Sequence, residues 1–514
     1  MASCTSSGPR RQTWLASRLL AEQVFSRAAG APLLGGNNVR LLIDARENYP
    51  AWLDCLEAAA HTIHLEMYII HDDEAGLEFA DLLMTKARAG VRVRVLYDWI
   101  GGLFKTSRRF WQRLREAGVD IRCFNPPRWD SPLGWLSRDH RKVIVVDGAT
   151  AFVTGLCIGQ MWRGYPERGI EPWRDTGVAI SGPAVADIES AFSEVWAAAG
   201  PPLPPEELPS REGLAKAGDI ALRVIAGVPN TAGLYRLDNL VAALAKRSLW
   251  LSDAYFIGVS SYVQALRSAA LDGVDVRLLV PGTTDLPILR ALSRAGYEPL
   301  LEAGVRVFEW NGPMMHAKTA VADGTWARVG STNLNIASWM GNYELDVAVE
   351  DAAFARSMEE MFLRDLERST EVILNRRSRV SLARGRPRRA MREGPGPHGS
   401  LSRAGAGTLR LGYSVGAVLT ERRLLGHAEA RITGVAGGLL LGITLLGLVW
   451  PLLLILPLSA FCGWFSLSLL ARTVKIYLRR KDQEEPPETP RSGGKTSEAS
   501  SEPASPKSLD NADH

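Results

Sequence analysis

The chain has 514 residues and a mass of 56.1 kDa, with 46% hydrophobic and 23% charged residues and a formal charge of +4. Length allows roughly three to five domains, and the composition excludes wholesale disorder, a collagen-like chain and a many-helix transporter. The positive charge is carried by 50 Arg against 10 Lys, so a lysine in a chemical motif stands out against its background.

In chain order, residues 1–37 predict a short, weakly amphipathic helical segment. Arg18 and Glu22 interrupt its apolar residues Trp14, Leu15, Leu19, Leu20, Val24 and Phe25, which excludes a secretory signal. Residues 38–205 and 218–375 then read as two copies of one pattern. The first places strands at TIHLEMYII (62–70) and AGVRVRVLYD (89–98); the second places them at SLWLSDAYFI (248–257) and DGVDVRLLVP (272–281). Strands alternating with helices, twice over, predict a duplicated α/β unit. Residues 376–423 carry twelve Arg and two Glu, a local charge of +10, inside a basic linker spanning 376–431. Residues 432–471 contain no charge for 40 positions. As one helix that run would be about 60 Å long, roughly twice a bilayer core. Trp450-Pro451 and Pro457 break it, and arginines and lysines flank both ends, so the expectation is a membrane hairpin with both ends cytoplasmic. Residues 472–514 read as a disordered polar tail. Five scattered cysteines, at 4, 55, 123, 157 and 462, show no metal or redox spacing and predict no disulfide.

Each copy ends in the same constellation, DHRKVIVVDG with His140, Lys142 and Asp147, and MHAKTAVADG with His316, Lys318 and Asp323. Both have the form H-x-K-x4-D, for which this composition supplies roughly 0.008 chance matches per chain by explicit counting. On a strand, His and Lys two apart share a face while the apolar residues between Lys and Asp stay in the core. These six residues form the candidate catalytic set. Within it, Asp147 and Asp323 end their strands at Asp-Gly, where a turn-forming, interdomain hydrogen-bonding role suits them better than proton transfer. Two lysines offer compact positive charge to a phosphodiester; one neutral imidazole can attack phosphorus, and the other, protonated, can release its proton to the leaving oxygen. No metal and no cofactor are expected. Glu66, on an otherwise apolar strand, reads equally as a site carboxylate or a buried structural one, and His61, His64 and His71 around that strand read as structural.

The doubled motif resembles the phospholipase D superfamily. That resemblance implies two tandem pseudo-symmetric domains packed face to face, both His/Lys pairs converging on one phosphate, followed here by the helical membrane hairpin. In the second copy GSTNLN supplies Ser331 and Asn333 as implied phosphate donors, whereas the first departs with TGLC, putting Thr154 and Cys157 where Gly and Asn are usual. The resemblance gives Asp175 (WRDTGVAI) and Glu344 (NYELDVAV) the job of orienting a histidine, and makes His140 the nucleophile and His316 the acid/base.

Within the superfamily, LEMYII with D-x-x-G, FNPP, WRDTGVAISGPAV and AYF are similar to bacterial cardiolipin synthases of the form without two N-terminal membrane helices. This implies transfer of a phosphatidyl group between two phosphatidylglycerol molecules with release of glycerol, through a phosphohistidine. Implied partners are anionic phospholipid and the bacterial inner membrane, with the catalytic region on the cytoplasmic side and no nucleic acid. The basic linker is suited to acidic head groups, at about 1 kcal/mol per basic residue near the surface. Two alternatives stay open: a phosphodiesterase that hydrolyses phospholipid or nucleic acid, since water can attack the same intermediate, and a non-catalytic membrane lipid-binding protein, motivated by Thr154 and Cys157.

Overall fold

The structure, a computed structural model, describes residues 22–127, 136–285, 293–374 and 380–382, with scattered helical positions between 441 and 473. Most of the basic linker, most of the expected hairpin and the whole polar tail lie outside the described residues. Among the described residues no helix is long and apolar enough to cross a membrane.

The first half supplies β1 (Leu34–Ile43), β2 (Thr62–Met67), β3 (Arg92–Asp98), β4 (Asp120–Phe124), β5 (Lys142–Val146), β6 (Thr150–Thr154) and β7 (Thr176–Ser181). The second supplies β8 (Ile220–Gly227), β9 (Ser248–Ser252), β10 (Asp275–Pro281), β11 (Arg306–Trp310), β12 (Thr319–Ala322), β13 (Trp326–Gly330), β14 (Glu344–Val349), β15 (Ser369–Leu374) and β16 (Val380–Leu382). They form one sheet in the order 16-15-11-10-9-12-13-14-8-1-7-6-5-2-3-4. Adding seven to each strand number of the first half gives the order of the second, so the duplication read from sequence is a duplication of topology. In each half the strand that opens the motif is antiparallel to the first strand of a parallel trio: β5 to β2, and β12 to β9. The halves join where β1 pairs with β8 at Leu34–Leu222 and Asn37–Ile220, with an irregularity between.

Two boundaries differ from expectation. Residues 34–37 belong to β1 rather than to an N-terminal helical segment, because the helix ends at Ala29 and Gly30 turns the chain at φ +71°. Residues 380–382, expected in the linker, form β16 against Leu374, Ile373 and Val372 of β15.

Alternation explains the layering. In β5, Ile144 and Val146 enter the first half's own core beside Trp52, Phe79 and Trp111, while Val143 and Val145 enter a second cluster shared by both halves. That shared cluster includes Val178 and Ile180 from β7, Val321 from β12 and Val347 from β14. Helices α1 (Asp44–Ala58) and α2 (Glu74–Arg88) cover the outer face of the first half. The second half's outer core takes residues from α3 (Gly233–Leu244) and α4 (Ser260–Leu271). Strands buried on both faces favour apolar residues at every position, as in the VIVV of β5; in β14 the buried Glu344 and Asp346 depart from this and are hydrogen-bonded by Ser331 and Thr332.

Candidate active site

The motif histidines precede their strands, on the edge where β2, β3 and β4 end and β5 begins. Backbone pairing with the opposite half fixes them there. His140 N–H donates to Tyr343 O at 2.9 Å and Tyr343 N–H to Arg138 O at 2.8 Å; His316 N–H donates to Arg174 O at 2.7 Å and Arg174 N–H to Met314 O at 2.8 Å. Each histidine therefore sits beside the acidic residue of the other half. His140 Nδ1 lies 2.9 Å from Glu344 Oε2 and 3.1 Å from Oε1, and His316 Nδ1 lies 2.6 Å from Asp175 Oδ2. A carboxylate on Nδ1 fixes the ring tautomer and leaves Nε2 for chemistry.

Both rings are nearly enclosed, with side chains 12% and 6% exposed. Burial pushes His140 below the ordinary histidine value, with Glu344 opposing and Lys142 assisting. Burial and then Lys318 push His316 down to about 4. Lys318 Nζ is 2.9 Å from His316 Nδ1 and also bonds the His316 carbonyl; burial lowers its own pKa to about 8. Lys142 is equally buried, bonds the His140 carbonyl, and has its ammonium 5.2 Å from the Tyr68 ring centroid. Burial alone would raise the Glu344 carboxyl, but the His140 ring, Lys142 and the Ser331 hydroxyl hold it below the usual glutamate value.

Ser331 Oγ donates to Glu344 Oε2 at 2.6 Å and accepts from Leu345 N–H at 3.0 Å. Expected as a phosphate donor, it is committed here to the carboxylate behind His140. Asn333 is nearly buried, and its side-chain oxygen has no hydrogen-bond partner among the described residues. Its counterpart Cys157 is buried, and burial raises its thiol.

Asp147 and Asp323, included in the catalytic set, stand away from this cluster at the opposite ends of their strands. Asp147 accepts the N–H groups of Ala60 (2.8 Å), His61 (2.7 Å) and Thr62 (2.7 Å), and Asp323 those of Lys246 (2.9 Å), Arg247 (2.7 Å) and Ser248 (3.0 Å). Both adopt left-handed backbone, φ +52° and +54°. They clasp the start of β2 and of β9 within their own half, so the hydrogen-bonding role holds but the interdomain part does not: five residues of strand, about 16 Å, separate each from its lysine.

Glu66 is fully buried, and burial together with Asp139 pushes its carboxyl well above the glutamate range, against the opposing pull of Arg141. His64 is bonded to Glu189 and, through Nε2, to Arg94 at 2.8 Å. His71 Nδ1 lies 3.3 Å from Asp73 Oδ2.

The departures in the first copy have a steric account. Thr154 and Gly177 are cross-strand neighbours, as are Gly330 and Asp346. A Cβ on Gly177 would stand 2.2 Å from Asn48 Oδ1 and 2.9 Å from Thr154 Oγ1, and one on Gly330 2.3 Å from Asp346 Oδ1. Each half admits one side chain at this pair, on opposite strands. Likewise a Cβ on Gly155, the counterpart of Ser331, would meet Asp175 Oδ1 at 2.2 Å. The shorter aspartate draws its carboxylate against the backbone, whereas the longer glutamate leaves room for a serine.

The sequence profile described as "Cardiolipin synthase, PLD-like domain" matches residues 52–196 and 241–366, which is more than half of the chain and includes both motifs. The chain belongs to this phospholipase D-like family. Among the members it resembles are the cardiolipin synthase of Halalkalibacterium halodurans, 35% identical over 67% of this chain and 69% of the relative, and cardiolipin synthase A of Pseudomonas entomophila, 34% identical over 70% and 76%. The fold is also that of phosphatidylserine synthase from Haemophilus influenzae, with a TM-score of 0.53 at 15% identity over 68% of this chain and 91% of that one.

The phospholipase D-like site contains aromatic neighbours that the motif did not announce. Tyr68 meets His140 edge-on with ring centroids 4.9 Å apart. Trp173 (5.5 Å), Trp162 (5.9 Å) and Tyr255 (6.0 Å) surround His316. Tyr68, Trp173 and Tyr255 lie inside stretches already singled out, LEMYII, WRD and AYF, which was the available signal; for Trp162 there was none.

Proposed function

We propose that this chain is a phosphatidyl transferase that makes cardiolipin from two phosphatidylglycerol molecules. What carries the reading is the pair of histidines, each bound through Nδ1 to a carboxylate of the opposite half, in a chain whose full-length relatives are named cardiolipin synthases. His140 Nε2 attacks phosphorus, the bond from phosphorus to the glycerol oxygen breaks, and His316 gives that oxygen its proton. The terminal hydroxyl of a second phosphatidylglycerol then yields its proton to His316 while its oxygen attacks phosphorus, breaking the P–N bond and restoring His140. Lys142, Lys318 and the Asn333 amide hold the phosphate oxygens, and Glu344 and Asp175 stabilise the imidazolium forms. An anionic phosphodiester between the rings favours the protonated imidazole, opposing the burial and the lysines that lower both histidines and so helping to supply the acid.

A second reading exchanges the histidines. The deeper depression of His316 favours the neutral, nucleophilic form there, and the Glu344 partnership favours a proton on His140. Quenching with labelled phosphatidylglycerol and mapping the phosphohistidine assigns the roles.

The 376–431 linker and the 432–471 hairpin hold the site at the cytoplasmic face of the inner membrane, a reading supported by their +10 charge and 40 uncharged positions. Labelled phosphatidylglycerol with added glycerol tests the function: formation of cardiolipin that glycerol reverses is expected, and phosphatidic acid alone would replace transfer with hydrolysis.

A further inference from the structure

Nine large apolar side chains between Val24 and Ile373 are more than a third exposed among the described residues, and five of them belong to loops at the site edge of the sheet. These are Leu103 (37%), Phe104 (95%), Leu136 (57%), Ile170 (45%) and Ile336 (57%). Four separate loops, drawn from both halves, contribute them.

Each loop either runs directly into a site histidine or is tied to a residue that touches one. The loop bearing Leu103 and Phe104 follows β3 and packs on the segment after β2: Asp72 N–H donates to Lys105 O at 3.1 Å, Thr106 bonds Ile70 O, and a Cβ on Gly101 would collide with the carbonyl of Tyr68, whose ring contacts His140. Leu136 lies four residues before His140, and the intervening Ser137 donates to Gly341 O at 2.8 Å. Ile170 precedes Trp173, which lies against His316. Ile336 follows Asn335, whose amide donates to Tyr255 O at 3.0 Å beside the same ring. Exposed Lys105, Arg108 and Arg109 adjoin Phe104.

Scattered apolar residues on a surface need no explanation, but a set gathered around the mouth of one site marks a contact face. We infer that this apolar rim docks the catalytic region onto a lipid bilayer, Phe104 and its companions entering the interface while Lys105, Arg108 and Arg109 meet anionic head groups. The inference rests on the lipid-transfer reading of the site. It commits to the bilayer because the apolar residues come from loops of both halves that lead to the histidines, have cations beside the most exposed of them, and belong to a chain with a 40-residue uncharged stretch. A reactive phosphodiester then reaches the histidines without leaving the interface.

The full chain, reconstituted in nanodiscs of phosphatidylcholine and phosphatidylglycerol carrying a phosphatidylcholine with an acyl-chain diazirine, gives a readout independent of turnover. Illumination is expected to label peptides containing Phe104 and Ile336 about tenfold more than the peptide containing Leu271, an equally apolar residue 70% exposed on another surface. Even labelling, or no labelling at Phe104, overturns the docking face, as when another protein or the chain's own apolar stretch covers it. As a second measurement, the combined variant Phe104→Ser, Leu136→Ser, Ile336→Ser should lose about tenfold in rate on vesicle phosphatidylglycerol but stay within about twofold on a monomeric short-chain analogue. Equal losses on both substrates, or none on vesicles, also overturn it. Selective labelling in a protein that forms no cardiolipin would leave the docking face standing and remove the functional reading instead.

Discussion

The two halves repeat one strand order but solve the same local problem with different residues. Behind His316 stand Asp175 and Gly155; behind His140 stand Glu344 and Ser331. One step away, Thr154 faces Gly177 in the first half while Gly330 faces Asp346 in the second. At the second pair the side chain missing on one strand is present on its neighbour, and at the first the nearer aspartate leaves room only for a glycine where the glutamate accommodates a serine. The fold therefore constrains the pair, and a motif read one strand at a time mistakes compensation for decay. The difference also reaches the chemistry: the His140 carboxylate has Ser331 and Asn342 as further donors, whereas Asp175 bonds its own Thr176 N–H at 2.9 Å.

The largest expected effects come from the histidines. Replacing either by Ala should lower the rate by at least about 10⁴-fold. The two should separate on a phosphodiester with a p-nitrophenolate leaving group, which needs no proton: loss of the acid would be largely relieved there, loss of the nucleophile would not. Similar losses on both substrates for both variants would break the assignment of distinct roles.

Next come the carboxylates. Glu344→Gln and Asp175→Asn should each cost about 10²–10⁴ in kcat, because the amide no longer stabilises an imidazolium or enforces its tautomer. Steady-state rates measured side by side would sharpen the comparison; retention of activity by either variant would show that its histidine orients itself.

The compensation account predicts unequal outcomes at matched positions. Gly155→Ser forces a Cβ to within 2.2 Å of Asp175 Oδ1 and should cost about 100-fold in kcat/KM through displacement of that carboxylate. Ser331→Gly opens space but removes one hydrogen bond to Glu344, worth about tenfold. The reverse order would refute the size argument.

A smaller effect is expected in the pH profile. Lys318, with its pKa near 8, should be protonated to hold an anion, so kcat/KM should fall as pH rises through about 8 and Lys318→Arg should carry activity to higher pH. An unchanged alkaline limb in that variant would assign it elsewhere. Smallest in catalytic terms is Asp147→Ala: three N–H groups lose their acceptor, and thermal unfolding should register about 1–3 kcal/mol of lost stability. The folded protein should keep kcat within about threefold, and a larger loss would restore Asp147 to the reacting set.

Much of this is legible in the sequence itself. H-x-K-x4-D, twice, located His140, Lys142, His316 and Lys318, because strand periodicity places such residues at one end of one face. The repeat also predicted a duplicated α/β fold, which the matching strand orders bear out. What sequence could not convey was long-range: that His140 meets a carboxylate 204 residues away and His316 one 141 residues away, that Gly177 answers Thr154, and that Ser331 turns toward Glu344. The motif aspartates were half legible for a related reason: Asp-Gly announced a hydrogen-bonding turn but not that its bonds stay within one half. Adjacency in the chain grouped them with the histidines, while strand rise carried them to the far edge. The helical expectation over 34–37 failed because Leu34 and Asn37 pair with β8 of the other half at the seam of the sheet, and local pattern is a weak guide where tertiary pairing decides.

The exchange of carboxylates has a consequence for ancestry. A chain carrying one half alone would own a histidine and a lysine but no acid opposite them, so it could complete the site only by pairing with a second copy. Such a pair must be symmetric, using identical residues at both histidines. A single chain holding both copies is free of that requirement, so the aspartate of one half and the glutamate of the other can differ and serve separate duties.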